Sequence, residues 1–357
     1  MRKTSLHTCH LALKAKMVSF AGFEMPVQYT GVVREHHAVR DHAGLFDVSH
    51  MGEFLISGPQ AVPLIQYVFS NDIERLDIGQ AKYGYMPNTK GGIVDDLLVY
   101  RIDHQRYMFV VNAANIEKDW NWLMTHNKMF GATLENQSDH WSLLALQGPK
   151  ATSILASLTE ANVTKIPFYS FIYGTVAGID NVLISATGYT GSGGYELYIP
   201  NENAEKIWNS LINSGAEPCG LAARNTLRIE MGYCLYGNDI DDSTSPIAAG
   251  LHWCTSFSKD FISKDIIEQQ KTGKNTKRVG FVLNERGIPR EGYSLTDIYG
   301  NNIGKVTSGT QSPSLEMGIG MGYIDRQHAV VGNDIQVVIR NKSILATITS
   351  LPFYHAS

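Results

Sequence analysis

The stretch "GGIVDDLLVYRI" (91–102), followed after a short polar gap by "RYMFVVN" (106–112), decides how this chain is read. Two apolar runs separated by Asp103 to Gln105 describe two strands joined by a turn. The two adjacent acids inside the first run are unusual, because burying an unpaired carboxylate is costly. Successive side chains of a strand point to opposite faces, so Asp95 and Asp96 cannot share a proton directly. One is expected to face a cavity and the other a partner or solvent. The plainer alternative is a strand end carrying two solvated acids.

Downstream, Ile116, Trp120 and Leu123 recur at helical spacing, with Asn115 as a possible N-cap. A second helix is expected in "GPKATSILASL" (148–158), with Pro149 in its first turn and Ile154, Leu155 and Leu158 as its apolar stripe. "NVLISATGYTGSGGYELYI" (181–199) reads as strand, glycine-rich turn and strand. In the second of these strands Tyr195, Leu197 and Ile199 alternate against Glu196 and Tyr198. Further helices are expected at 203–213, carrying Ile207, Trp208 and Leu211, and from about Gly220 to Gly232. After the polar run "KTGKNTK" (271–277) the pattern changes to short apolar segments divided by turn residues such as "YGNN", "SGTQSPS" and "RNKS". Evenly spaced short strands predict an all-β barrel or sandwich beginning near residue 275. Lys271 to Arg278 reads as a solvated linker.

With 357 residues the chain is long enough for two or three domains with a large core. A net charge of -4 disfavours a nucleic-acid partner, which needs clustered Lys and Arg against phosphates. Cys9, Cys219, Cys234 and Cys254 form no CxxC pair or other zinc-ligand spacing, so no metal site is expected and the thiols read as buried and reduced. The basic N-terminus lacks the apolar run of a secretory signal, and no stretch approaches the roughly 18 apolar residues of a membrane helix. A cytoplasmic protein without membrane association is the expectation.

Several blocks together resemble the aminomethyltransferase (glycine cleavage T-protein) family. "FAGFEMPVQYTG" (20–31) with "HAGLFDVSHMGEFLISG" (42–58) looks like its amino-terminal signature. "YGYMPNTKGGIVDDLLVYR" (83–101) is similar to its catalytic strand, while "GYTGSGGYELYIP" (188–200) and "GLAARNTLRIEMGYCLYGNDID" (220–241) resemble its folate-binding segments. "VTSGTQSPSLEMGIGMGYID" (306–325) matches its barrel motif. The blocks stand in family order and cover nearly the whole chain.

The resemblance implies an α+β, three-domain cloverleaf-like fold with a C-terminal β-barrel. Residues 1–50 with 137–275 would form the folate-binding domain, 51–136 an inserted α+β domain and 276–357 the barrel. It picks Asp96 as the catalytic acid and leaves Asp95 structural. Glu196 would accept hydrogen bonds from the amide and amino groups of a pterin. The family pattern has a second acid earlier in that loop, where this chain has Ser192.

Arg224 and Arg228, one helical turn apart, would share a face and repel unless an anion lies opposite; intrahelical pairing with Glu230 is the plainer reading. The resemblance places Arg224 at a substrate position with Arg228 near it, where folate carboxylates suit a guanidinium. Met51, Tyr83, Asn112 and Tyr189 align with residues lining the folate pocket, although residues of these types more often pack or cap turns.

The implied reaction takes an aminomethyl group from the lipoyl arm of the H-protein. Tetrahydrofolate accepts the methylene carbon, ammonia leaves, and 5,10-methylenetetrahydrofolate and dihydrolipoyl protein remain. No metal is required. The rivals are a paralogous folate domain of a flavin dehydrogenase, a folate protein with a KGCY-type motif, and a catalytically silent folate-binding module. The first would need an upstream GxGxxG unit and the second a motif absent here.

Overall fold

The hairpin expected at 91–112 forms in the computed structural model, which describes residues 1–273 and 275–355. Strand Ile93–Asp103 pairs antiparallel with Arg106–Val111, Leu98 opposite Val110 and Tyr100 opposite Met108. Arg106–Val111 pairs in turn with Gly52–Ser57, placing Val110 opposite Glu53. Ala81–Pro87 and Thr133–Asn136 complete this five-stranded sheet. Helix Ile116–Asn127 forms where its spacing predicts, with Asn115 at the N-cap position but without a side-chain capping bond.

A second, six-stranded sheet runs Phe171–Val176, Ile179–Ser185, Gly194–Pro200, Trp141–Gln147, Gly44–Asp47 and Glu217–Pro218. One face carries Leu144, Leu146, Tyr195, Leu197 and Ile199, which pack with Ile154 and Leu155 and with Ile207, Trp208 and Leu211 of helix Ala204–Asn213. The other face presents Glu196 and Tyr198, and these are buried too. Tyr100 of the five-stranded sheet lies against Tyr198, ring centroids 5.6 Å apart. Gly194 is required where the glycine loop enters its strand. Its φ is +126°, and a Cβ there would fall 2.2 Å from the Leu146 carbonyl oxygen. Helix Ala151–Ala156 starts later than expected: Lys150 is its N-cap, so Pro149 precedes the helix instead of occupying its first turn.

Most of these two sheets and their helices falls in one compact unit, residues 1–84 and 96–225, which excludes parts of strands Ala81–Pro87 and Ile93–Asp103. The other unit comprises 85–95 and 226–357. Within it, the hairpin tip is fastened by Gln270 Nε2 donating to the Gly91 carbonyl at 3.0 Å and by the Tyr85 and Thr255 hydroxyls at 2.9 Å. The expected barrel closes with six strands: Thr276–Leu283, Gly318–Asp325, Asn302–Gln311, Ser294–Thr296, Asp334–Ile339 and Lys342–Thr349, the last pairing back to the first. Phe281, Leu295, Ile324, Val337 and Ile348 belong to its core. Its final hairpin turns at Arg340 and Asn341, both at positive φ, as a two-residue turn matching strand twist demands.

Lys271 to Arg278 is not the linker its composition suggests. Lys264–Gly273 is a helix and Thr276–Leu283 a strand, with Lys274 outside the described residues. Lys271 stacks on the Phe257 ring at 3.4 Å and pairs with Glu268, which keeps the helix going through a basic stretch.

Candidate active site

Strand alternation sorts the paired acids: Asp95 is fully buried and Asp96 half-buried. The Asp96 carboxylate is held on both oxygens. Tyr83 donates its hydroxyl to Oδ2 at 2.8 Å, and Asn112 Nδ2 reaches Oδ1 at 2.9 Å and the Asp96 carbonyl at 3.0 Å. Three of the residues singled out from sequence therefore meet. Two fixed donors hold the carboxylate plane.

Glu196 is 8% exposed and accepts a 2.5 Å bond from the Thr187 hydroxyl on Oε2. Among the described residues nothing donates to its other oxygen, Oε1. Burial pushes its carboxyl up from the ordinary range, against the opposing effects of Thr187 and the Arg224 charge. Arg224 is half-buried with its guanidinium 4.5 Å from the centre of the Tyr189 ring, a cation–π stack joining two more of the expected residues. Met51 is half-buried and follows His50, whose ring packs edge-on against Phe20 at 5.4 Å. Burial, reinforced by Arg224, holds the His50 imidazole down at about 4, so it is neutral at pH 7. Ser192, at the family's acid position, accepts a 2.7 Å bond from Arg40, which also grips the Thr190 carbonyl at 2.6 Å.

Behind Glu196 runs a chain of hydroxyls that sequence reasoning missed. Tyr198 donates to Tyr100 at 3.1 Å, and Tyr100 lies 3.2 Å from Ser185 and 3.3 Å from Thr187. The Thr187 hydroxyl is placed to donate to Glu196 Oε2 at 2.5 Å or to Ser185 Oγ at 2.9 Å. The signal was present in the alternation: Tyr100 is four residues past Asp96 and Tyr198 two past Glu196, hence on the same strand faces. An isolated acid in the apolar run "GEFLIS" likewise marks Glu53, which is 1% exposed.

Arg228 has a different environment from the one grouped with Arg224. In the second unit it donates to Asp239 Oδ2 at 2.7 Å, to Ser308 Oγ at 2.8 Å and to the Tyr233 carbonyl at 3.1 Å. Asp239 also accepts from Thr307, Ser308 and the Leu235 amide. The anion opposite Arg228 is thus internal, and Glu230, the expected intrahelical partner, is bonded instead to Ser312 and Ser314.

Among the described residues no group of three or more His, Cys, Asp or Glu side chains is placed to hold a metal ion, and no helix is long and apolar enough to cross a membrane. In one unit Asp96 and Glu196 lie on the strand faces that carry Tyr100 and Tyr198, and the other unit holds a closed barrel; other proteins share these features. The family model for the GCVT N-terminal domain matches residues 6–259, and that for the glycine cleavage T-protein C-terminal barrel domain matches 277–355. An aminomethyltransferase of Flavobacterium psychrophilum is 52% identical over 359 residues, 99% of each chain, and one of Bacteroides thetaiotaomicron is 51% identical over 360. The crystal structure of glycine cleavage system aminomethyltransferase T from Bartonella henselae superposes with a TM-score of 0.94 at 35% identity, covering 99% of this chain and 98% of that one. The chain belongs to the glycine cleavage T-protein family of aminomethyltransferases.

Proposed function

We propose that this chain transfers the methylene carbon of an aminomethyl group, carried on the lipoyl arm of an H-protein, to tetrahydrofolate in the cytoplasm, with release of ammonia. The observation that carries the reading is the buried Glu196 carboxylate, one oxygen bonded to Thr187 and the other without a donor among the described residues. A pterin edge presents adjacent N–H donors, and a buried acceptor in a largely apolar slot is the complement it needs. Arg224, stacked on Tyr189, supplies a cation for an anionic part of the ligand. Met51 adds an adaptable apolar contact.

Asp96 is the group we assign to the chemistry. The folate amine gains positive charge as it bonds to the methylene carbon. A carboxylate held by Tyr83 and Asn112 stabilises that charge without reorganising and can take the proton. Folate and lipoyl arm supply the reacting atoms; the protein supplies position and charge. Arg228, committed to Asp239, is left out of this site. The reading retains three modules: 1–50 with 137–275, 51–136 and 276–357.

The test is tetrahydrofolate-dependent release of ammonia from aminomethyl-loaded H-protein. Turnover supports the proposal. Folate binding without ammonia release makes the chain a silent folate-binding module.

A further inference from the structure

Arg224 is carried by a helix that cannot cap itself. Helix Leu221–Glu230 follows Gly220, whose carbonyl accepts from the Arg224 amide at 3.2 Å in the opening turn. A capping residue works through its side chain, and glycine has none. Nothing larger fits at this position, because a Cβ on Gly220 would fall 2.3 Å from the Val27 carbonyl oxygen. The third helical position, from which a glutamate can reach back to the cap amide, is Ala223.

The acceptor comes instead from 185 residues away. Glu35, 1% exposed, takes the Gly220 amide on Oε2 at 2.8 Å. Its Oε1 accepts from the amides of Tyr29, Thr30 and Gly31 at 2.7, 2.8 and 3.0 Å. Gly31 is the N-cap of helix Val32–Asp41, so one carboxylate closes the starts of two helices that both begin on glycine. A carboxylate only accepts, and each of these four partners is an N–H that only donates. Negative charge is also the favourable sign at a helix N-terminus. The 29–31 loop is anchored in turn: the Tyr29 hydroxyl lies 2.9 Å from His10 Nδ1, and His10 Nε2 lies 2.8 Å from Oδ2 of the buried Asp47. A continuous series of bonds therefore runs from Asp47 through His10, Tyr29 and Glu35 to Gly220. Arg224 follows one turn later, its guanidinium 4.5 Å from the Tyr189 ring centre.

We propose that Glu35 is a positioning residue for the transfer reaction: by tying the start of the Arg224 helix to the 29–31 loop it sets where the Arg224 guanidinium stands over Tyr189. This rests on the reading of Arg224 as the cation for an anionic part of the ligand. One helical turn is a short, stiff lever, so a shift at Gly220 is passed on to Arg224, and a displacement of about 1 Å is enough to weaken a fixed polar contact.

The test sets Glu35→Gln beside Arg224→Ala and the double variant, reading the tetrahydrofolate dissociation constant, the KM for H-protein and kcat, each below the variant's melting temperature. With its single oxygen on the three loop amides, the glutamine turns an NH2 group toward the Gly220 N–H, donor against donor. Whichever constant Arg224→Ala raises, Glu35→Gln should raise about 3- to 10-fold, the scale of one hydrogen bond, with kcat nearly constant. In the Arg224→Ala background Glu35→Gln should change that constant by less than about twofold, because the group it positions is gone. Glu35→Asp, which keeps the charge and shortens the reach, is expected to raise the same constant and carries the comparison if the Gln variant does not fold. Unchanged constants in a folded Glu35 variant, or an equal loss with and without Arg224, overturn the proposal and leave Glu35 holding only the fold. If Arg224→Ala itself changes neither constant, the reading of Arg224 falls instead.

Discussion

Two buried polar clusters, each within its own unit, make opposite use of the same chemistry. In the barrel-bearing unit Asp239 accepts from Arg228, Thr307, Ser308 and the Leu235 amide, and Glu230 accepts from Ser312, Ser314 and the Ser314 amide. Both carboxylates are bonded on both oxygens. In the two-sheet unit Glu196 is bonded on one oxygen and Glu53 on neither. A low-dielectric interior strengthens a satisfied network and penalises an incomplete one, so the first cluster is closed within its unit and the second is the one that the proposed folate reading would complete. Burial alone does not separate the two; a count of donors against lone pairs does.

The comparison breaks most visibly at Arg228. Arg228→Ala strands the Asp239 charge, and losing one partner of a buried pair costs about 3–5 kcal/mol. At about 2–4 °C per kcal/mol the melting temperature should fall by roughly 10 °C, with tetrahydrofolate affinity nearly unchanged in the folded fraction. Differential scanning calorimetry with ligand titration checks both. An intact melting temperature with lost binding would move Arg228 from the fold to the site.

Next in size is Asp96→Asn. The side chain keeps its shape and loses its charge, so kcat for ammonia release should drop about 100-fold while folate affinity stays within a few-fold. Asp95→Asn, on the opposite strand face, should lower kcat much less. If the two variants exchange behaviour in steady-state kinetics, the wrong carboxylate has been assigned to the chemistry.

The smallest effect is expected at Arg224. Its guanidinium rests on Tyr189 at 4.5 Å and is half-buried. Arg224→Ala should weaken tetrahydrofolate or H-protein engagement on the order of tenfold, given cation–π and exposed-charge magnitudes of about 0.5–2 kcal/mol. The melting temperature should move by a few degrees at most. A large loss of stability with intact binding would place Arg224 with the structural cluster.

Periodicity made most of the fold legible. The hairpin 93–111, helices Ile116–Asn127 and Ala204–Asn213 and the barrel strands all follow apolar spacing set by one or two buried faces. It failed where composition stood in for packing. The lysines of 271–277 look like linker residues, yet Lys271 sets its ammonium over the Phe257 ring, a contact that charge counting does not register. Pro149 was displaced by a matter of cap geometry, which spacing does not define. At the site, Asp96, Tyr83 and Asn112 were named separately, and the structure joined them. Arg224 and Arg228 were named together, and the structure gave them different partners. Tyr100, Thr187 and Tyr198 escaped notice because hydroxyls in apolar strands pass for core residues until their long-range partners are known. None of those partners is adjacent in sequence: Tyr100 meets Thr187 across 87 residues and Tyr198 across 98.

The central claim, that the incomplete cluster is a folate site, rests on the free oxygen of Glu196. Calorimetric titration of tetrahydrofolate into the parent and Glu196→Gln proteins measures it directly. The variant replaces an acceptor with an amide donor facing the ligand's own donors. Hydrogen bonds to a charged group are worth roughly 1.5–3 kcal/mol, so affinity should fall about 10- to 150-fold with little change in melting temperature. An unchanged dissociation constant would contradict the account and put the pterin acceptor elsewhere in the chain.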